Sequence, residues 1–296
     1  ANRQCPIRLC TGSNGFIFCR NKSQRHRILR MWHVVFCLAK MRIASWNVNS
    51  IKARLDIVVN WLASDHCDVL LVQETKSQDV NFPSVAFENI GWNVAFHGQK
   101  SFNGVAIVSR FEINDVTVGL AGDDSDEQAR YMEATVGGVR VATIYLPNGN
   151  PAPGPKFDYK LAWQERLEAR AVELLKMEMP IVLGGDYNVI PDDVDCYDPA
   201  SWAGDALTRM ESRGAFRRLL HIGYTDAMRS LYPSEVFYTY WDYQAGAWQR
   251  DHGVRIDHLL LSPEALDQLE CVKIDRGPRG LEKPSDHTPI VCHLRS

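Results

Sequence analysis

No stretch near the start of this 296-residue chain is apolar for long enough to cross a bilayer. The longest run there, MWHVVFCLA, has about nine residues, where a membrane helix needs roughly 20. The eight cysteines (5, 10, 19, 37, 67, 196, 271 and 292) form no CxxC pair and no zinc-type spacing with histidine. That argues against a disulfide or zinc scaffold and fits scattered thiols in a reducing cytosol. Internal repeats and low-complexity tracts are absent too, which leaves out solenoids and other repeat architectures. Positive charge is short where it would matter most. The formal net charge is −3, yet residues 1–40 hold eight Lys or Arg and no Asp or Glu, leaving 25 basic against 36 acidic residues in 41–296. A phosphate-rich partner would therefore have to meet local basic clusters, because the body as a whole does not attract it.

What is present is a globular composition, 45% hydrophobic, enough for one large core. Residues 1–40 are basic, Cys-rich and without clear periodicity, and two readings of them stay open. They match an organelle transit peptide in being Arg-rich and acid-free; alternatively they are an extension upstream of a natural start at Met41. In both cases the fold is expected in residues 41–296, as one domain. From Met41, strand patterns at 42–48 and 68–74 flank a helical pattern at 51–64. Short strands follow at 91–97, 104–110, 130–136 and 139–146. A Pro/Gly loop (147–156), a long helix (157–178), the strand PIVLGG and a helical stretch (205–221) come next. Strands near 236–243, 254–261, 270–275 and 288–294 close the chain. The architecture these patterns favour is α/β, with two mixed sheets and helices outside.

Carboxylates and amides gather where those strands end. SWNVN carries Asn47, VQETK carries Glu74, and GGDYN carries Asp186 and Asn188, while Asp257 lies within VRIDHLLLS and Asp286 and His287 precede the last strand. Each segment alone is better read as a turn or a solvated charge. Five of them at strand ends converge on one rim of a layered domain. Hard oxygen ligands of this kind suit Mg²⁺, with Glu74 and Asn47 as the pair expected to hold it. Asp186 could orient or deprotonate a water with Asn188 beside it, and glycines 184 and 185 would let a phosphate approach the backbone. His287, its tautomer fixed by Asp257, could donate to a phosphate oxygen. The chemistry such a set suits is hydrolysis of a phosphodiester.

Taken in order, WNVNSIKAR, QETK, YLPNG, GGDYN, RIDHLLLS and KPSDH resemble the exonuclease III branch of the endonuclease/exonuclease/phosphatase superfamily, the Mg²⁺-dependent abasic-site DNA repair nucleases. The resemblance runs from about Met41 to the C-terminus and implies a four-layer α/β sandwich, two mixed β-sheets packed face to face with helices outside. It implies Glu74 as direct metal ligand with Asn47 beside it, and Asp286 as a possible second ligand. Asp186, Asn188 and His287, at the same centre, are carried as metal-site candidates as well. Tyr145 and Asn148 would contact the scissile phosphate, Asp186 and Asn188 would act on the water, and Asp257 and His287 would form the Asp–His pair. Tyr240, Val254 and Ile256 would line an apolar pocket for a flipped-out baseless sugar, which excludes ordinary nucleotides by size. DNA phosphates would meet Lys52, Arg54, Lys76, Lys100, Lys156, Arg250, Arg255 and Lys283, with Lys156 and Arg255 nearest the substrate.

The resemblance thus implies a monomer that cuts duplex DNA 5′ to abasic sites and trims or cleans 3′ ends, with Mg²⁺, for which Mn²⁺ can substitute. Cytoplasmic location with the bacterial nucleoid is expected, or organelle import if residues 1–40 are a transit peptide. One rival is a superfamily phosphodiesterase acting on inositol phosphates, sphingomyelin or RNA, whose branches lack QETK followed by RIDHLLLS. The other is a non-catalytic DNA-binding module, which would be expected to lose Glu74, Asp186 or His287; all three are present.

Overall fold

A computed structural model describes residues 41–295, so the readings made for residues 1–40 lie outside the described residues. In chain order the elements are β1 (Met41–Asn47), α1 (Leu55–Ala63), β2 (Val69–Gln73), α2 (Ser84–Glu88), β3 (Asn93–His97), β4 (Val105–Ser109), β5 (Ile113–Val118), β6 (Tyr131–Val136) and β7 (Val139–Tyr145). Then follow α3 (Pro155–Leu175), β8 (Ile181–Asp186), α4 (Met210–His221), β9 (Thr225–Asp226), α5 (Ala227–Leu231), β10 (Asp257–Leu261), α6 (Pro263–Leu266), β11 (Leu269–Ile274) and β12 (Ile290–Leu294). None of the described helices is long and apolar enough to cross a membrane.

Two six-stranded mixed sheets result, ordered β11-β12-β1-β2-β4-β3 and β5-β6-β7-β8-β10-β9. Strands such as VLLVQ read as unbroken apolar runs because both their faces are covered. Ile43, Leu71 and Ile107 of the first sheet meet Val141, Val182 and Leu259 of the second in a shared inner core. Outside the first sheet, α1 lays Val58, Trp61 and Leu62 on Trp46, Leu70 and Val72. Beyond the second, α3 and α4 lay Trp163, Leu167 and Phe216 on Ile144 and Leu183. The order is helix, sheet, sheet, helix: the four-layer sandwich implied by the sequence.

Three local expectations need correction. Residues 51–54 are turns, so α1 starts only at Leu55; the chain has just turned through left-handed Asn49 (φ 45°) and Ser50 (φ 90°), which no helix accommodates. Residues 236–243 form no strand, since Tyr240 makes only isolated bridges to Val254 and His287. The alternating aromatics there serve side-chain packing, a role that period-2 patterning cannot separate from a ladder. Glycines 184 and 185 face protein on the side where a side chain would stand. A Cβ on Gly184 would stand 2.6 Å from Leu71 Cδ1 and 2.8 Å from Leu259 Cδ2, and one on Gly185 2.0 Å from the Ile144 carbonyl oxygen. The smallness of Gly184 lets the two sheets close, and that of Gly185 makes room for the adjacent β7 backbone at Ile144, which together set the depth at which Asp186 sits. Gly184→Ala is expected to cost about 1–3 kcal/mol by overpacking, read as a lowered urea midpoint with the slope unchanged.

Candidate active site

Strand register delivers the polar residues to one edge of the sandwich. Parallel pairing of β1 with β2 sets Asn47 opposite Gln73, with Glu74 just beyond. Parallel pairing of β7 with β8 sets Tyr145 opposite Asp186, and antiparallel pairing of β8 with β10 sets Asp186 opposite Asp257. Glu74 (φ 52°) and Asn188 (φ 46°) both hold left-handed backbones, uncommon for such residues and persistent only where the surroundings over-determine them. Around Glu74 those surroundings are backbone bonds from Ser50 N to its carbonyl (2.8 Å) and from Thr75 N to Gly104 O (3.0 Å).

The side chains then interlock. Asn47 Nδ2 donates to Glu74 Oε1 (2.9 Å) and to Asp186 Oδ2 (2.9 Å). Asn188 donates its backbone N–H to Asp186 Oδ1 (2.9 Å), and its side-chain oxygen accepts from Asn148 Nδ2 (3.0 Å). His287 Nδ1 bonds to Asp257 Oδ2 at 2.8 Å, leaving Nε2 directed toward Asp186 Oδ2 at 3.8 Å. Asn49 Nδ2 donates to Asp286 Oδ1 (3.0 Å). Glu74, Tyr145, Asn148, Asp186, Asn188, Tyr240, Ile256, Asp286 and His287 all border one cleft of about 290 Å³. Asn47 lies beneath them, fully buried.

Burial makes this an electrostatically tense place. Desolvation opposes charge on His287, but the carboxylates of Asp257 and Asp186 overturn it and push its pKa up to about 10. Asp186 moves up to about 7, driven by burial and held back by the His287 charge. Burial also pushes Glu74 up, yet the Asn47 amide and the Lys76 ammonium, 2.7 Å from Oε2, more than offset it and hold the carboxyl below its usual range. Desolvation, then the charges of Glu74 and Asp186, keep the Tyr145 phenol protonated as a donor. Apart from the protonated His287 ring, the acidic and amide groups facing the cleft offer carboxylate and carboxamide oxygens, which fit a hard divalent cation. Ligand atoms of Asp186, Asp257 and His287 also lie within 4.8 Å of one another. A cation on all three would require His287 to give up the proton that the two carboxylates hold on it, so the oxygen side around Glu74 is the better seat.

Other candidates are placed differently. Arg255 was expected near DNA, but it is fully buried, with Nε 2.6 Å from Asp195 Oδ1 and NH1 2.8 Å from Asp226 Oδ2. In the extended segment that leads into β10, Ile256 faces the cleft while its neighbour Arg255 points the other way, into the protein. Val254 is buried in the cluster behind the cleft with Ile190 and Cys196, and it is not among the residues bordering the opening. Arg54 is spent on Asn49 O (2.7 Å) and Tyr243 Oη (2.9 Å), and Lys76 on Glu74. Lys52, Lys100, Lys156, Arg250 and Lys283 are exposed.

Several residues at the site carried no readable signal. Lys160, fully buried, donates to Asn148 O (3.0 Å) and Asn188 O (2.6 Å), tying together the two loops that carry those side chains, and desolvation lowers its pKa to about 7. In the sequence it reads as an ordinary helix lysine. Arg130 stacks on the Tyr145 ring at 4.7 Å, and Trp202, Asp205 and Leu207 complete the cleft wall from a loop without pattern.

A profile described as the Endonuclease/Exonuclease/phosphatase family matches residues 44–287. The chain belongs to that family. It is 32% identical over 256 residues to an exodeoxyribonuclease of Bacillus subtilis, covering 84% of this chain and 98% of that one. Among solved structures it is similar to a 3′ phosphatase from Neisseria bound to a product DNA hairpin, with 41% identity and a TM-score of 0.85, covering 86% of this chain and all of the other (100%). It is also similar to an AP endonuclease from Archaeoglobus fulgidus, with 37% identity and a TM-score of 0.83, covering 86% and 99%. The family member described here is a nuclease, a hydrolase of phosphodiesters.

The buried ion network predicts a clean separation of stability from binding. Arg255→Ala leaves Asp226 without its guanidinium partner and Asp195 with Arg229 alone, and is expected to cost about 3–5 kcal/mol in denaturant unfolding. Because Arg255 meets no phosphate, the salt slope of nucleic-acid binding by the folded variant should stay unchanged.

Proposed function

We propose that this protein is a divalent-cation-dependent DNA repair nuclease, working as a monomer on duplex DNA. It hydrolyses the phosphodiester 5′ to an abasic site, leaving a 3′-hydroxyl, and removes nucleotides or blocking groups from 3′ ends. The observation that carries this reading is the position of Asp186, between the Asp257–His287 pair and the Glu74–Asn47 pair in one cleft. With a phosphodiester in that cleft, Asp186 takes a proton from water as its oxygen attacks phosphorus. Asn188 holds the Asp186 carboxylate in place through its backbone N–H. The bond to the 3′ oxygen breaks, and that oxygen takes up a proton from solvent to give the hydroxyl. His287 Nε2 and the Tyr145 hydroxyl donate to the phosphate oxygens as charge builds on them. A cation held by Glu74 and Asn47, with Asp286 at hand, would supply further neutralisation of that charge; Mg²⁺ suits the ligands and Mn²⁺ should substitute. Apolar Ile256 beside Tyr240 supplies a wall for a sugar without a base.

A labelled duplex with one stable abasic analogue, incubated with Mg²⁺ beside an undamaged blunt duplex and an EDTA control, tests this directly. One metal-dependent cut 5′ to the lesion is expected; folded protein that cuts neither DNA would overturn the reading in favour of inositol phosphate, phospholipid or RNA. On the same substrate, Glu74→Ala should raise the Mg²⁺ concentration needed for half-maximal rate, and an unchanged requirement would remove Glu74 from the metal site. The pH profile should be bell-shaped. Asp186, its pKa raised to about 7, must lose its proton to act, so rate falls below that pH; His287, raised to about 10, must keep its proton, so rate falls above it. His287→Ala should abolish the alkaline limb and lower kcat about 10²–10³-fold with little change in DNA affinity.

A further inference from the structure

Asp205 is the one carboxylate bordering the cleft that the proposed chemistry leaves unused. It belongs to the apolar end. Its backbone N–H bonds to Trp202 O (3.0 Å), and Ala206 and Leu207, which follow it, pack with Ile256 and, at the margin, Tyr240. Its hydrogen-bond partners among the described residues are neutral donors. Asn150 Nδ2 bonds to Oδ1 (3.0 Å) and Oδ2 (3.1 Å), and Leu207 N bonds to Oδ1 (2.8 Å). Asn150 is held in turn, since its Oδ1 accepts from Ala206 N (3.0 Å). The carboxylate is thus fixed in direction, half-buried, and retains acceptor capacity on Oδ2. A fixed negative charge repels phosphate, so it disfavours placing the backbone of a nucleic acid at this end. It favours a neutral group that carries a hydroxyl donor.

We propose that Asp205 is a specificity-determining residue that accepts a hydrogen bond from the C1′ hydroxyl of the baseless sugar. A sugar that has lost its base carries a hemiacetal hydroxyl where the base was attached, and an intact nucleotide has no donor at that carbon. The apolar wall selects by size, and the carboxylate then selects by chemistry. A hydroxyl given to an ionised acceptor in a partly dry cleft forms a short, charge-assisted bond, about twice as strong as a neutral one. An analogue lacking the hydroxyl leaves that acceptor unpaired, with a loss of about tenfold in kcat/KM.

This inference rests on the abasic-site reading above, and one experiment separates the two. Two duplexes are compared, one with a natural abasic site made by removing uracil, the other with a tetrahydrofuran residue, which keeps the ring but lacks the C1′ hydroxyl. The unaltered protein should cut the natural lesion about tenfold more efficiently. In Asp205→Ala that ratio should fall to near one, because cutting of the natural lesion drops, and Asp205→Asn, which keeps the shape and a weaker neutral acceptor, should fall between. Equal cutting of both lesions by the unaltered protein would overturn the role of Asp205, and needs no variant to establish. So would a preference that survives in Asp205→Ala. Failure to cut either lesion would instead overturn the abasic-site reading on which the inference stands.

Discussion

An imidazole enclosed between two carboxylates is the constraint on which the rest of this structure depends. Asp257 is fully buried, Asp186 and His287 nearly so, and each would be costly to charge alone. Together they compensate one another, provided that Asp257 and His287 stay at hydrogen-bond distance and Asp186 close by. Everything nearby serves that geometry. The register of β8 against β10 fixes the two carboxylates, and the loop before β12 is pinned so that His287 reaches both. Ser285 Oγ bonds to Asn47 O (2.7 Å), Trp46 Nε1 to His287 O (3.2 Å) and Thr288 N to Thr239 O (2.8 Å). The sheet that carries Asn47 and Glu74 is thereby joined to the Asp–His pair by the same bonds.

A second buried network lies just behind the first. Arg255 and Arg229 together neutralise Asp195 and Asp226, and Arg255 NH1 stands 2.9 Å from His258 Nδ1. Burial, then the neighbouring guanidinium, pushes His258 down to about 4 and keeps that ring neutral. Ile256 and Asp257 lie in the chain between Arg255 and His258 of this second network, and Asp257 belongs to the first. The cleft wall and the partner of His287 are therefore flanked by two buried, hydrogen-bonded side chains, with little freedom to move. Rigidity of this kind suits a site that must hold a phosphate against aligned donors.

Much of this was legible in the sequence, because buried strands leave apolar runs and strand ends leave polar residues. β1, β2, β7 and β8 were read within a residue or two, and their termini located Asn47, Glu74, Tyr145 and Asp186. The missed elements had weak patterns: β5 is largely exposed along INDVTV, and β9 has two residues. The misplaced residues share another cause. Arg255 and Lys160 carry charge, which sequence reading assigns to the surface, whereas ion pairs with Asp195 and Asp226 or carbonyl partners hold them inside. Whether a charged side chain is paired depends on contacts between distant segments, such as 195 with 255, and no local pattern records those. Trp202 and Asp205 were hidden for the same reason, since a loop has no period from which facing can be read.

The central claim is that buried carboxylates hold His287 as an imidazolium through the neutral range. Titration of the His287 ring nitrogens by ¹⁵N nuclear magnetic resonance tests it most directly. Both nitrogens are expected to stay protonated from pH 6 to beyond pH 9, with the transition near 10 and a marked downward shift in Asp257→Asn. A ring already neutral at pH 8, or one whose titration ignores Asp257, would contradict it.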